Sequence, residues 1–398
     1  MAGGRVTAAG GTLGAMAESD ECRVALLVPQ DIGYGRGVLA GVQEVAAGRG
    51  WRLRQAAPVE AVLPLLRGWR PDGVIAHVTE RPVAEALTTL GRPVVNTTTT
   101  LTTWEGPLVE VDHDAVGRLA AEHLLDRGYR HFGYLGSDWA GFSLARERAF
   151  RRRLAEGGHE VSACHLNYLP QPPADLPWDR AEEDLRSWVA SLPKPCGVFA
   201  SNDRPGRELV NVCRSLGVRV PRDVGVLGVD ADDFECRMCE PPLSSVANPA
   251  AAIGRTAAEM LGRLMAGESV SEPRPLVAPP RVIVRGSTDA FATADSEVRA
   301  ALRLIAERSC EGLRAADVHA ASGVSRRQLE RRFRDAVGRG VLEEITRVRV
   351  ERAKQLLAET NLEVAVVAAR SGFSGPRRMA TVFAAEVGAT PLGFRRSC

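Results

Sequence analysis

The sequence contains no apolar run approaching 18 residues, so no stretch of it is long enough to span a bilayer as a helix, and no membrane partner is expected. It has no G-x-x-x-x-G-K-[ST], no H-E-x-x-H and, after its first apolar run, no G-x-G-x-x-G. These absences remove the P-loop, zinc-peptidase and dinucleotide fingerprints. Gly33-Tyr34-Gly35-Arg36-Gly37 is glycine-rich but has neither phosphate-loop spacing. Of eight cysteines, Cys236 and Cys239 form one C-x-x-C; no second pair or nearby histidine completes a zinc set. No metal and no cofactor is therefore expected, and scattered thiols suit a reducing cytoplasm. Residues 1–20 are Gly/Ala-rich and lack the continuous apolar segment of a signal peptide. They are expected to be a disordered tail, or translation from an upstream start with Met16 as the true one.

What is present divides unevenly along the chain. At 398 residues there is room for two or three domains. Residues 295–398 carry 19 Lys and Arg against 13 Asp and Glu, while the rest is mildly acidic. A basic C-terminal module on an acidic body fits one nucleic-acid-binding end.

The body alternates short apolar runs with helical patterns. Strands are expected at Arg23–Pro29, Gly73–Ala76, Pro93–Asn96, His131–Gly136, Gly197–Ala200 and Val224–Val229. Helices are expected at Val38–Gly48, Val83–Leu90, Ala115–Arg127, Arg146–Glu156 and Arg204–Leu216. Such alternation predicts parallel sheets covered on both faces. So many units over about 260 residues suggest an α/β body of two doubly wound subdomains.

Ligands of such sheets bind beyond the carboxyl ends of the strands. Gln30 and Asp31, Asp138, Asn202 and Asp203, and Asp230 occupy those ends, and Arg146 lies just downstream of Trp139 and Phe142. Carboxylates, an amide and a guanidinium can pair with hydroxyls, and aromatic faces can cover the C–H face of a sugar ring. Asp and Asn after strands are also ordinary helix caps, so each position carries both readings.

Near the C-terminus, Asp317–Ala321, the turn Ser322-Gly323-Val324 and Ser325–Arg334 read as helix, turn and helix. Leu329 and Phe333 share the inner face, and arginines dominate the outer one. The unit recurs about fifty residues later, with Glu363–Ala369, the turn Ser371-Gly372-Phe373 and Pro376–Phe383. A connecting helix is expected over Ile345–Leu357, with Ile345, Val348, Arg352, Leu356 and Leu357 at helical spacing.

Two such units on a connector, closing in Gly388-Ala389-Thr390-Pro391 and Phe394-Arg395, resemble the AraC/XylS family of transcription regulators over residues 296–398. The aromatic pair common in that family is replaced by Arg378 and Met379. The resemblance implies base-facing positions at Arg327, Glu330, Arg331, Arg377, Arg378 and Thr381, with Arg326 and Arg334 nearer phosphates. Residues 22–287 resemble the LacI/GalR effector domain, which has a periplasmic-binding-protein fold. Ala200-Ser201-Asn202-Asp203, Pro221–Asp230 and Pro241–Val246 carry that likeness, and Arg146 with Phe150 matches that family's Arg-x-x-x-aromatic sugar contact.

After the tail (1–20), the resemblances imply an effector body (22–287), a linker (288–295) and an all-α DNA-binding domain with two helix-turn-helix units (296–398). The implied protein is a sugar-responsive transcription regulator, an activator in its expected sense. Its expected partners are a duplex DNA operator, a small sugar or sugar-like effector, a second copy of itself as a homodimer, and RNA polymerase. Other readings stand beside it: a body that is a dimerisation scaffold without ligand, a binding protein that tethers sugar sensing to an RNA or protein partner, or a sugar-processing enzyme.

Overall fold

The computed structural model describes residues 22–58, 60–166, 178–289, 293 and 295–397. The expected tail, and residues 290–292 and 294 of the expected linker, lie outside the described residues.

The first half of the body is a parallel sheet of order β2-β1-β3-β4, built from β1 (Arg23–Leu27), β2 (Arg52–Ala56), β3 (Gly73–Ala76) and β4 (Val94–Asn96). Helices α1 (Gly33–Arg49), α2 (Leu63–Trp69) and α3 (Arg81–Thr88) connect its strands. The chain then passes through the short β5 (Glu110–Val111) into the second half. There α4 (His113–Asp126), β6 (His131–Gly136), α5 (Gly141–Ala155), β7 (Val161–His165), α6 (Trp178–Ser191), β8 (Cys196–Ala200), α7 (Asp203–Ser215), β9 (Val224–Asp230), α8 (Asp233–Arg237) and β10 (Ser244–Ala247) follow in turn. The chain returns through α9 (Ala250–Met265) to pack on α1, and β11 (Leu276–Val277) pairs with β5. It then adds β12 (Val282–Ile283) antiparallel to β10. The second sheet has the order β12-β10-β9-β8-β6-β7. The two doubly wound subdomains expected from the alternation are both present.

Beyond the body, seven helices form the C-terminal domain: α10 (Ser296–Arg308), α11 (Ala315–Ala321), α12 (Arg326–Val337), α13 (Val341–Glu359), α14 (Val364–Arg370), α15 (Pro376–Val387) and α16 (Pro391–Ser397). Local sequence explains where α12 and α15 begin and end. Ser325 and Gln328 make a reciprocal capping box at the start of α12, satisfying donors the first turn leaves unpaired. Pro376 opens α15, where its missing N–H costs little. Gly338 and Gly388 close the two helices at φ 82° and 76°, a left-handed conformation that glycine adopts without a Cβ clash.

The connector differs from the expected one. It starts at Val341, four residues earlier, and of the residues at helical spacing Arg352 is exposed. Its N-terminal half gives Val341 and Ile345 to the core of the first unit, with Leu329 and Phe333. Its C-terminal half gives Val350, Ala353, Leu356 and Leu357 to the core of the second, with Met379 and Phe383. One helix is thus shared by two small cores, which fixes the two units relative to each other.

Candidate effector cleft and DNA-facing helices

The carboxyl ends of both sheets face one cleft between the subdomains. Its centre is Arg146, on the second turn of α5 and only 3% exposed. Its Nη1 donates to the Ser201 carbonyl at the end of β8, its Nε donates to His113 Nδ1 at 3.3 Å, and its guanidinium carbon stands 5.1 Å from the Phe142 ring centre. His113 begins α4, and its other nitrogen lies 3.0 Å from Glu110 Oε2. Burial pushes the His113 pKa down against the pull of the Glu110 hydrogen bond, and Arg146 adds to the fall. A neutral ring that accepts from Arg146 at Nδ1 and donates to Glu110 from Nε2 satisfies both partners, and that choice sets the tautomer. Thr99 donates to the same Glu110 oxygen at 2.7 Å.

Asp230 ends β9 at φ 108°, followed by Ala231 at φ 55°. These are left-handed conformations that side-chain-bearing residues adopt at a cost of about 1–3 kcal/mol each, and such strain clusters at binding sites. Asp230 Oδ1 accepts from Asn248 Nδ2 at 3.0 Å, and Asn202 also bonds its carboxyl. Burial raises its pKa, with Arg146 opposing. From the first subdomain, the Tyr34 hydroxyl donates to the Thr97 carbonyl at 2.5 Å, and its ring lies 5.5 Å from that of His77. Burial lowers the His77 pKa to about 4. His77 Nδ1 and Asn248 Oδ1 are buried without a hydrogen-bond partner. Buried polar atoms are normally satisfied, so two orphans at the strand ends mark a place built for something polar.

The mouth is clasped across the subdomains. Asp232 accepts from Gly33 N at 2.7 Å and pairs with Arg36 at 3.3 Å.

Of the residues singled out in the sequence, Phe142, Arg146, Asn202 and Asp230 come together. Asn202 stands at the N-cap of α7 but makes no side-chain cap bond, so the capping alternative does not account for it. Gln30, Asp31 and Asp138 sit exposed at the rim. Asp203 is turned into the protein, with one oxygen accepting from Ser245 Oγ at 2.5 Å and the other from Asp232 N at 2.8 Å. It braces the β9–β10 end rather than opening to the cleft. Tyr34, His77, Thr99, Glu110, His113 and Asn248 were not anticipated. The strand-end rule applied to β3, β4 and β10 points to His77, Thr99 and Asn248; only the crossover geometry brings in Glu110 and His113. Among the described residues no His/Cys/Asp/Glu group could hold a metal ion. Cys236 and Cys239 are buried, and burial pushes both thiols up, Cys239 to about 11.

On α12, Leu329, Phe333 and Val337 are buried, and Arg326, Arg327, Arg331 and Arg334 are exposed. Glu330 departs from that face. One of its oxygens lies 2.9 Å from His319 Nε2 on α11, so it ties the two helices of the first unit together. On α15, Met379 and Phe383 are buried, and Arg377, Arg378 and Thr381 are exposed. Both helices expose arginines in their first turn, and α12 alone carries them on into later turns.

A two-lobed α/β body joined to a paired helix-turn-helix domain defines a ligand-responsive transcription regulator with an AraC-type DNA reader. The helix-turn-helix domain family matches residues 319–397, and the periplasmic binding protein-like domain family matches residues 121–288. The xylose operon regulatory protein of Escherichia coli (strain K12) is 30% identical over 383 residues, covering 94% of this chain and 96% of its own length. Its counterpart in Haemophilus influenzae is 28% identical over 295 residues, covering 73% and 75%. The solved structure of the xylose-binding transcription activator XylR superposes with a TM-score of 0.60 at 28% identity, covering 95% of this chain and 98% of that one. The chain belongs to the family of the xylose operon regulatory proteins. It is a DNA-binding transcription regulator, in keeping with the expectation of a non-enzyme.

Proposed function

We propose that the cleft binds an uncharged monosaccharide, with a pentose such as xylose as the first candidate, and that its occupancy sets how the C-terminal helices meet DNA. The observation that carries this is Arg146. It is a buried guanidinium held by Ser201 and His113, with Asp230 and Asn202 nearby and two unsatisfied polar atoms, on His77 and Asn248, at neighbouring strand ends. Asp230 faces Arg146 and Glu110 stands behind His113, so the site already holds carboxylates beside its one guanidinium, and an anion on the ligand would meet repulsion from them. That favours a neutral polyol over a sugar acid or phosphate. The relative's name, a xylose-binding activator, supports both the pentose and the activating sense.

In this reading Arg327, Arg331, Arg377, Arg378 and Thr381 face bases, Arg326 and Arg334 face phosphates, and Glu330 stays with His319. The body ends near 287 and the DNA-binding domain begins near 296. Binding as a homodimer to paired half-sites, with RNA polymerase recruited alongside, completes the proposal; footprint spacing tests the dimer.

Calorimetric titration with D-xylose, other pentoses, hexoses, glucuronate and ribose 5-phosphate tests the cleft. Losing one charge-assisted contact costs about 1.5–3 kcal/mol, so Arg146→Ala should weaken the best neutral sugar by roughly 10- to 150-fold. An unchanged Kd in Arg146→Ala, or binding of the charged compounds alone, would overturn the assignment.

A further inference from the structure

Helix α4 touches two places that matter. Its first residue, His113, contacts Arg146 in the cleft. Its last, Asp126, leaves the body altogether: Oδ1 accepts from Arg339 at 2.8 Å and Oδ2 from Arg347 at 2.7 Å. Arg339 lies between α12 and α13, and Arg347 lies on α13. Both arginines also grip Glu344, which is 1% exposed, so four charges from two domains close one network. Beside it, Arg130 donates to the Ala336 carbonyl on the last turn of α12 at 2.9 Å. Just before the second domain, Thr288 lies 2.9 Å from His123 of α4.

The helix between these ends is stiff and tied to the cleft wall. Fourteen residues of α-helix span about 20 Å. Asp112 caps its start by accepting from Ala115 N at 2.9 Å. At Gly117 it meets α5 backbone to backbone: a Cβ there would come within 2.5 Å of the Arg146 carbonyl and 2.8 Å of Phe150 N. A shift of the Arg146 turn therefore displaces α4 as well, because the contact has no flexible side chain to absorb it.

We propose that α4 is the element that ties the state of the cleft to the placement of the first helix-turn-helix unit, with Asp126 as the body's docking contact for Arg339 and Arg347. The inference rests on the regulator reading for its purpose, while its geometry stands independently of which sugar binds. Asp126 is a positioning residue: it touches neither the cleft nor the outer face of α12. A ligand that favours one setting of α5 would favour one setting of the arginine pair, and so one orientation of α12.

Hydrogen exchange on the full chain tests this without any ligand. Removing the charged contact in Asp126→Ala should speed exchange of amides 338–347 by roughly tenfold or more, with a smaller change at amides 141–155 of α5, since the coupling acts in both directions. Glu122→Ala, on the same helix but paired with Arg153 of α5, should leave amides 338–347 unchanged. His113→Ala should alter amides 338–347 in the native background and have a smaller effect once Asp126 is alanine. If Asp126→Ala fails to fold, Asp126→Asn keeps the shape and gives the same comparison with a smaller rise. Unchanged exchange at 338–347 in both Asp126 variants overturns the docking role. Equal effects of His113→Ala in both backgrounds overturn the coupling. Failure to bind sugar would show in titration and leave these amide rates untouched, so the two ideas fail separately.

Discussion

Replacing Glu344 with glutamine should cost the DNA-binding domain about 2–3 kcal/mol at neutral pH. The carboxylate is 1% exposed and accepts from Arg347 at 2.8 and 3.0 Å and from Arg339 at 2.5 Å. Each charge-assisted hydrogen bond contributes about 1.5–3 kcal/mol net. The total falls well short of three times that, because both arginines are about a quarter exposed and keep Asp126 as a partner. Glutamine keeps the shape and one acceptor but removes the charge. For a domain of roughly 100 residues, 1 kcal/mol moves the midpoint by about 4–8 °C, so the expected fall is roughly 10–20 °C. The loss should also depend on pH. Burial acts to raise the Glu344 pKa, but the hydrogen bonds and charges of Arg347 and Arg339 outweigh it and hold the carboxyl below its usual value. A depressed carboxylate adds stability above its unfolded pKa, near 4.3, and loses it as pH falls through the folded one. Wild type and Glu344→Gln should therefore differ most at pH 7, and the gap should close as pH falls through the depressed folded pKa of Glu344. Differential scanning calorimetry of the full chain, following the transition of the C-terminal domain, measures both. A fall of less than about 3 °C at pH 7, or a gap that stays constant into acid, would refute the reasoning.

Two further outcomes concern the DNA-facing helices. Phe383→Ala should cost about 3–5 kcal/mol in the second unit, since the ring is fully buried against Met379 and Phe394, and circular dichroism melts should show it. A loss below about 1 kcal/mol would mean that the site is not a packed core. Arg331→Ala should relax preference at one base position by about 1–3 kcal/mol, whereas Arg334→Ala should weaken all sequences alike and flatten the salt slope. Equal losses on every sequence for Arg331→Ala would remove its base-reading role.

Much of the architecture was legible before folding, because it is written in short-range periodicity. Leu329 and Phe333 recur four apart, as do Met379 and Phe383, and each pair turns inward. The central strands β1, β3, β6, β8 and β9, buried along nearly their whole length, read as mostly apolar runs. The edge strands β2 and β7 did not: each is partly exposed, and Arg-Leu-Arg-Gln-Ala or Val-Ser-Ala-Cys-His has no continuous apolar signal. Helix α1 was expected to begin at Val38 but begins at Gly33, whose sequence carries no capping side chain to announce it.

By itself, then, the sequence determined two doubly wound halves, a basic two-unit helical end, and the strand-end positions of Asn202 and Asp230, which fold beside Arg146. Those depend on residues a few positions apart. Tertiary structure alone decided that His113 would stand between Arg146 and Glu110, that Asp203 would face inward, that Glu330 would leave the arginine face for His319, and that Asp126 would reach Arg347 across 221 positions of chain. The physical reason is range. Periodicity records which face of an element is buried, while a polar side chain's partner is set by which elements the packed core brings together, and no local pattern encodes that.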